Sequence, residues 1–345
     1  DILCDEFEIS SENTKMLKLY STTDILGDNI IDTLVYNKYE DTLFIYAGLM
    51  PLEFTSLTNP GGTMDEGFLA TFTGIVTATN NNDRVWIADE AGAHHGINSG
   101  DGAFNAAMGD SLVFYGKFSP YSDHSEIYPA TLIKNVGPAV GEIAAFDIAA
   151  SDIDTSINYD TDPAEKYESS LVTVSAVTID EWDGSYYYYA TSGANVVRIG
   201  DRFETFDGTF NGNLLNVGTT YNITGIVVGR SDEYQICPRN LADINPTDDA
   251  TKPVVTNAAQ EISNVIGNIA EVKSNEAGKV YIILEGQAQN SLSDLNAAVS
   301  AYKGACAEAF PNDTADIAVM DLMPGTYFAY AVDLGDNISD KGTNA

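Results

Sequence analysis

Gly109-Asp110-Ser111-Leu112-Val113-Phe114-Tyr115-Gly116 returns 109 residues later as Gly218-Thr219-Thr220-Tyr221-Asn222-Ile223-Thr224-Gly225. Each octet opens on a glycine followed by a polar pair and closes on a glycine within an apolar run, so each reads as a tight turn feeding a strand. The same offset pairs Ile127 with Ile236, Pro129 with Pro238 and Leu132 with Leu241. So many coincidences at one offset mark an internal repeat. Upstream, Gly92 pairs with Gly193 at an offset of 101, so the second copy carries eight extra residues, where Phe203 to Asn213 supplies additional loop. Each copy is therefore a strand, a hairpin, a glycine turn, a long strand and a closing strand.

The pattern stays β on both sides. Leu69 to Val76, Leu171 to Val177 and Tyr221 to Val228 alternate or are rich in branched residues, and Gly, Asn and Asp separate them. Lys15 to Tyr20, Thr33 to Tyr36 and Thr42 to Ala47 read as strands of an extra N-terminal β unit, able to complete a sheet with the first repeat or with another molecule. Helix is expected only at Ser293 to Tyr302 and at the short stretch Gly102 to Met108.

Val172-Thr173-Val174, Val217-Gly218, Tyr221 to Ile226 and Tyr234-Gln235-Ile236-Cys237-Pro238-Arg239-Asn240 resemble the small OB-like barrel modules of secreted and surface-attached Bacteroidota proteins, some of them attached to extracellular nucleases. The first copy, Glu126 to Leu132, keeps the Ile and Pro but drops the Arg-Asn pair. Ser274-Asn275-Glu276-Ala277-Gly278-Lys279-Val280-Tyr281 and Tyr330-Ala331-Val332-Asp333-Leu334-Gly335-Asp336-Asn337-Ile338-Ser339 resemble bacterial Ig-like domains, with Asp336 where those carry Gly. The expected fold class is all-β: an N-terminal β unit over 1–62, an OB-like module over 63–140, an acidic linker over 141–165, a second OB-like module over 166–246 and an Ig-like β-sandwich over 247–345.

Charge restricts the partners. Against 51 acidic residues stand 16 basic ones, for a net charge of −35, and every one of these five segments is acidic. Nucleic-acid binding begins with a basic face that releases counterions, so no nucleic-acid partner is expected. Cations and salt are the expected surroundings. Cys4, Cys237 and Cys306 are odd in number and lack any C-x-x-C spacing. No apolar run approaches bilayer length, so no membrane insertion is expected, and the Asp1 start reads as that of a trimmed product whose export signal is gone. With the Bacteroidota resemblance, this makes a secreted or cell-surface location the expectation.

Three groups of residues are candidates for chemistry. Tyr186-Tyr187-Tyr188-Tyr189 on a hairpin strand would send Tyr186 and Tyr188 to one face, with Arg198 and Arg202 the nearest cations; this is either a stacking platform for a sugar or an ordinary strand. Asp152, Asp154, Asp160 and Asp162 crowd the linker and are either a calcium site that stiffens the junction or a solvated spacer. His95, His124 and Asp123 could hold a metal if their loops met; otherwise the histidines are exposed loop residues.

No G-x-S-x-G elbow, phosphate-cradling glycine loop or H-E-x-x-H stands in the chain, and no enzyme is expected. Asp32-Thr33-Leu34, Asp41-Thr42-Leu43, Asp110-Ser111-Leu112 and Asp313-Thr314-Ala315 also look like the short O-glycosylation motif of Bacteroidota. The function expected is that of an extracellular structural or adhesive subunit of a surface layer, filament or adhesin, partnered by copies of itself or by other surface proteins. The rival is a polysaccharide-binding accessory module of a larger secreted hydrolase.

Overall fold

In a computed structural model of the chain, the residues described are 50–60, 63–80, 84–99, 104, 106–121, 124–139, 141–155, 163–203, 214–230, 233–247, 249–256, 260–263 and 267–342, with the backbone of four earlier strands. Those strands, β1 (Phe7–Glu8), β2 (Met16–Tyr20), β3 (Thr33–Asn37) and β4 (Thr42–Tyr46), make an antiparallel sheet of their own in chain order. The protein is all-β, and no helix among the described residues is long and apolar enough to cross a membrane.

Strands β5 (Leu69–Thr79), β6 (Val85–Ala88), β7 (Gly96–Ser99), β8 (Asp110–Phe118) and β9 (Glu126–Pro138) close into a barrel in the order β5-β6-β7-β9-β8. The next seven are β10 (Phe146–Ile148), β11 (Leu171–Trp182), β12 (Tyr187–Ser192), β13 (Asn195–Gly200), β14 (Thr220–Arg230), β15 (Glu233–Cys237) and β16 (Ile244–Pro246). Five of them repeat the circuit as β11-β12-β13-β15-β14 and close through a β11–β14 pairing, while β10 and β16 extend the sheet. In each barrel the third and fifth strands run parallel, β7 with β9 and β13 with β15. Two closed five-stranded barrels in tandem are consistent with OB-like modules.

The repeated octets show why both copies fold alike. Gly109 and Gly218 both sit at φ +87°, a left-handed turn that an L side chain resists. At the far end, a Cβ on Gly116 would lie 2.2 Å from Ile127 Cγ2, and one on Gly225 would lie 2.4 Å from the Cys237 carbonyl oxygen. One glycine turns the chain; the other lets the fourth strand press against the fifth. In the first barrel, inward residues of β5 and β8 (Ala70, Phe72, Val76, Leu112, Phe114) fill the interior with Ile87, Ile97, Phe104 and Ile127. The Phe72 and Phe104 rings each stand 5.5 Å from that of Phe114. Met50, Leu52 and Phe54 join this core, so the barrel's packing includes residues upstream of the boundary expected at 63.

Residues 141–165 include more than a spacer. Phe146–Ile148 pairs in parallel with Val172–Val174, and Ala150–Asp152 and Pro163–Tyr167 form 3-10 turns. The two barrels meet along an apolar seam of Ala78 and Trp86 from the first and Leu171, Phe203, Ile226 and Cys237 from the second. Trp86 meets Phe203 edge to face at 4.7 Å. Polar straps flank the seam: the Arg239 guanidinium donates to the Thr77 carbonyl at 3.1 Å, and the His94 amide to the Lys166 carbonyl at 2.6 Å.

The C-terminal region is a β-sandwich. Strands β17 (Val255–Thr256), β18 (Ile269–Ser274) and β21 (Thr314–Ala318) form one sheet in the order β17-β18-β21; β19 (Gly278–Leu284), β20 (Gly304–Ala309) and β22 (Tyr327–Asp333) form the other, in the order β20-β19-β22. Ala270, Val272, Val280, Ile282, Ile317 and Ala329 pack between them. Helix α1 (Leu292–Ser300), capped by the Ser291 hydroxyl accepting from the Asp294 amide at 3.2 Å, covers the outer face of the second sheet with Leu295 and Ala298 against Tyr281, Ile283 and Tyr330. The helix expected at 293–302 is therefore present. Of the stretch 102–108, the residues described (104 and 106–108) are not helical. By contacts the chain forms two compact units, one of 1–175, 190–205 and 223–239 and one of 176–189, 206–222 and 240–345, with β11, β12 and β14 passing from one to the other.

The seam yields a direct test. A Cβ on Gly96 would sit 2.3 Å from the Ser169 carbonyl carbon, where backbone meets backbone and no side chain can yield. Gly96→Ala should lower unfolding stability by about 1–3 kcal/mol in a denaturant titration, the cost of overpacking a tight contact. Gly184→Ala, with nothing within 4 Å of the added carbon but φ at +86°, should cost only the turn strain of about 1 kcal/mol.

Candidate functional site

The tyrosine run does not form one platform. Tyr188 is fully buried, and its hydroxyl accepts from the Leu214 and Leu215 amides at 3.0 and 3.2 Å. Burial pushes this phenol up to about 12. Tyr186 precedes β12, in a turn where one Asp183 oxygen accepts from the Ser185, Tyr186 and Tyr187 amides, and is 62% exposed. The sequence pattern predicted alternation for all four tyrosines, but alternation starts only where the strand does.

Arg198 is also internal: its guanidinium is strapped to the Glu233 carboxylate and, at 3.0 Å, to the Glu233 carbonyl. Asp152 accepts from the Ala149 amide at 3.2 Å and lies 3.5 Å from Lys166 Nζ, and the buried Asp154 accepts from the Val196 amide at 3.1 Å. Asp152 thus holds its own turn, and Asp154 holds the backbone of β13, 42 residues on. Asp160, Asp162 and Asp123 lie outside the described residues. The histidines are half-buried and partnered, each through its Nδ1: His94 with the Ser56 hydroxyl (2.7 Å), His95 with Asp89 (2.9 Å) and His124 with Glu168 (2.9 Å). The Asp89 hydrogen bond raises the His95 imidazole above its ordinary value, while burial and the neighbouring His95 and Lys166 charges lower that of His94.

Of the expected ligand residues, Arg202 does reach a cavity. A cleft of about 340 Å³ flanks the seam, lined by Arg84, Trp86, Asn98, Tyr121, His124 and Glu126 of the first barrel and by Glu168, Ser169, Arg202, Val228 and Gly229 of the second. The Glu168 carboxylate accepts from His124 and, at 2.8 Å, from the Ser125 amide, which fixes one wall. Asn98 Nδ2 donates to the Ser125 carbonyl at 3.0 Å, leaving its oxygen toward Arg84. Arg84 is held loosely, with Nη1 3.4 Å from Asn98 Oδ1 and 3.5 Å from Glu126 Oε2. Reciprocal backbone hydrogen bonds join Tyr121 to His124, and Tyr121 is 71% exposed. Of this lining sequence reasoning singled out only Arg202, as a ligand residue, and His124, as a metal ligand, since nothing in the local pattern joins residues 84, 98 and 121 to 168 and 202.

A second polar group lies in the sandwich region. Carboxylate oxygens of Asp249, Glu276 and Asp333 fall within 4.8 Å of one another, the one such group of potential metal ligands among the described residues. Burial, then the charges of its two neighbours, raises Glu276; burial likewise raises Asp333, against hydrogen bonds from Asn337. Both Asp333 oxygens already accept N–H donors, from Gly335 and Asn337. These three carboxylates therefore strain one another at neutral pH.

No protein-family model matches the chain, and no curated protein matches it.

Two outcomes follow. Tyr188→Phe removes an acceptor from two buried amides and should cost about 1–3 kcal/mol in thermal or chemical unfolding, whereas the exposed Tyr186→Ala should stay within about 0.5 kcal/mol. For Glu276 and Asp333 the folded pKa lies above the unfolded one, so their stabilising contribution is full in acid and lost as pH rises through the raised values. Glu276→Gln should therefore raise the thermal midpoint at pH 7, and the gain should vanish near pH 4 in the same scan; a loss at pH 7 would mean that the charge is needed.

Proposed function

We propose that the chain is a non-catalytic structural or adhesive subunit of a secreted or cell-surface assembly. The observation that carries this reading is the seam between the barrels. Flexibly tethered modules would meet through a solvated linker. Here part of that linker is a sheet strand, and six apolar side chains are buried across the junction. A tandem built this way holds a fixed spacing, which suits a wall, stalk or filament element more than a swinging carrier.

Assembly of such a subunit must overcome a charge of −35, and monovalent salt screens it over about 10 Å at 0.1 M. Calcium enters this reading as a counter-ion between acidic surfaces rather than as a catalytic group. Imaging of the isolated protein by electron microscopy, with calcium and with chelator at equal ionic strength, is the test. A regular lattice or filament that chelation disperses is expected. Monomers under both conditions would defeat the reading, and an assembly indifferent to chelation would remove calcium from it.

A further inference from the structure

We propose that the inter-barrel cleft binds a neutral pyranose carrying adjacent hydroxyls, presented by a polysaccharide. This goes beyond the subunit reading and does not depend on it. The cleft, at about 340 Å³, lies at the small end of the roughly 300–1,000 Å³ range of ligand sites. Its charge decides the class of ligand. Arg84 and Arg202 converge here in a chain with only 16 Lys and Arg, and they are opposed by Glu126 and Glu168. An anionic ligand would meet two carboxylates and the field of the whole acidic chain; a cationic one would meet two guanidinium groups. A neutral ring that both donates and accepts hydrogen bonds meets neither penalty.

Arg84 supplies the recognition element. Its contacts with Asn98 and Glu126, at 3.4 and 3.5 Å, are at the outer limit of hydrogen bonding, so a ligand can replace them at little cost. Once the guanidinium swings clear of these contacts, two neighbouring hydroxyls can bridge the groups: each can accept from the guanidinium while donating to Glu126 or to the Asn98 oxygen. Such sharing is open to a hydroxyl, which is both donor and acceptor, and closed to an apolar ligand. Tyr121 supplies the second element. A tyrosine left 71% exposed beside a polar cleft offers an apolar face to the C–H face of a sugar ring, with its hydroxyl kept in water. One wall is fastened by Glu168, which holds both the His124 ring and the Ser125 amide, so these polar groups are positioned before a ligand arrives.

The whole chain should be applied to a glycan microarray bearing neutral glucan, mannan, xylan and galactan fragments, with uronic-acid and sulfated glycans as anionic comparators. Any hit should then be titrated by calorimetry against Tyr121→Ala, Arg84→Gln and Tyr186→Ala. Binding to a neutral class is expected. Tyr121→Ala and Arg84→Gln should each weaken it tenfold or more with an unchanged thermal midpoint, and Tyr186→Ala should leave it intact. Retention of no neutral glycan, preference for the acidic ones, or affinity that survives both cleft substitutions would overturn the proposal. If glycans bind while microscopy finds only monomers, the cleft stands and the subunit reading falls.

Discussion

The structure depends on how closely the fourth strand of each barrel can approach the fifth. A five-stranded ring is tight, and β8 must pair with β5 on one side and β9 on the other. Gly116 and Gly225 stand where that approach leaves no room for a Cβ, and the Ile127 and Ile236 side chains beyond them are fully buried. Closure then fixes alternation around the ring, sending Phe72, Phe114 and Ile87 inward and Thr71, Thr73 and Tyr115 outward. In the first barrel, closure also removes the free edges that an open sheet would offer to other chains. The outer surfaces of β5 and β6 are thereby free to supply Ala78 and Trp86 to the seam.

At that seam two effects of different size oppose each other. Each fully buried large apolar side chain is worth about 1.5–3 kcal/mol. Two like charges 4 Å apart in water repel by about 1 kcal/mol, and less with salt present. The four large ones at the seam, Trp86, Leu171, Phe203 and Ile226, therefore outweigh several exposed carboxylate pairs, which is why an acidic chain can still clamp its barrels together. Where carboxylates are drawn into partial burial, as at Glu276 and Asp333, the balance shifts: desolvation removes water's screening, and repulsion costs more than it would on an open surface.

What the sequence made legible was whatever local spacing encodes. Gly109 and Gly218 announce a left-handed turn, and the alternation in Leu69 to Val76 announces a strand with one buried face. Together they revealed the repeat, and the resemblance of its copies to OB-like modules implied the tandem barrels that the structure shows. The N-terminal strands and α1 were visible for the same reason. The fate of a side chain set by distant partners was not. Tyr188 looked like Tyr186 in sequence, and only the Leu214 and Leu215 amides, 26 and 27 residues away, draw its hydroxyl inward. Asp154 looked like a free ligand until Val196 claimed it. The acidic segment looked like a spacer because Phe146–Ile148 is too short to show a period, although three residues suffice to pair with Val172–Val174 of β11.

The cleft was illegible for a further reason that bears on where function can lie in a fold of this kind. Small barrels fill their interiors with side chains, and here aromatic rings pack the first barrel's core. Concave surface must then arise between modules or at their rims. The inter-barrel cleft draws Arg84 and Asn98 from one module and Glu168 and Arg202 from the next, so neither copy of the repeat contains it alone. Duplication thus did more than lengthen the chain: by burying Trp86 against Phe203 it created a polar recess beside the contact, with walls that a single barrel could not provide.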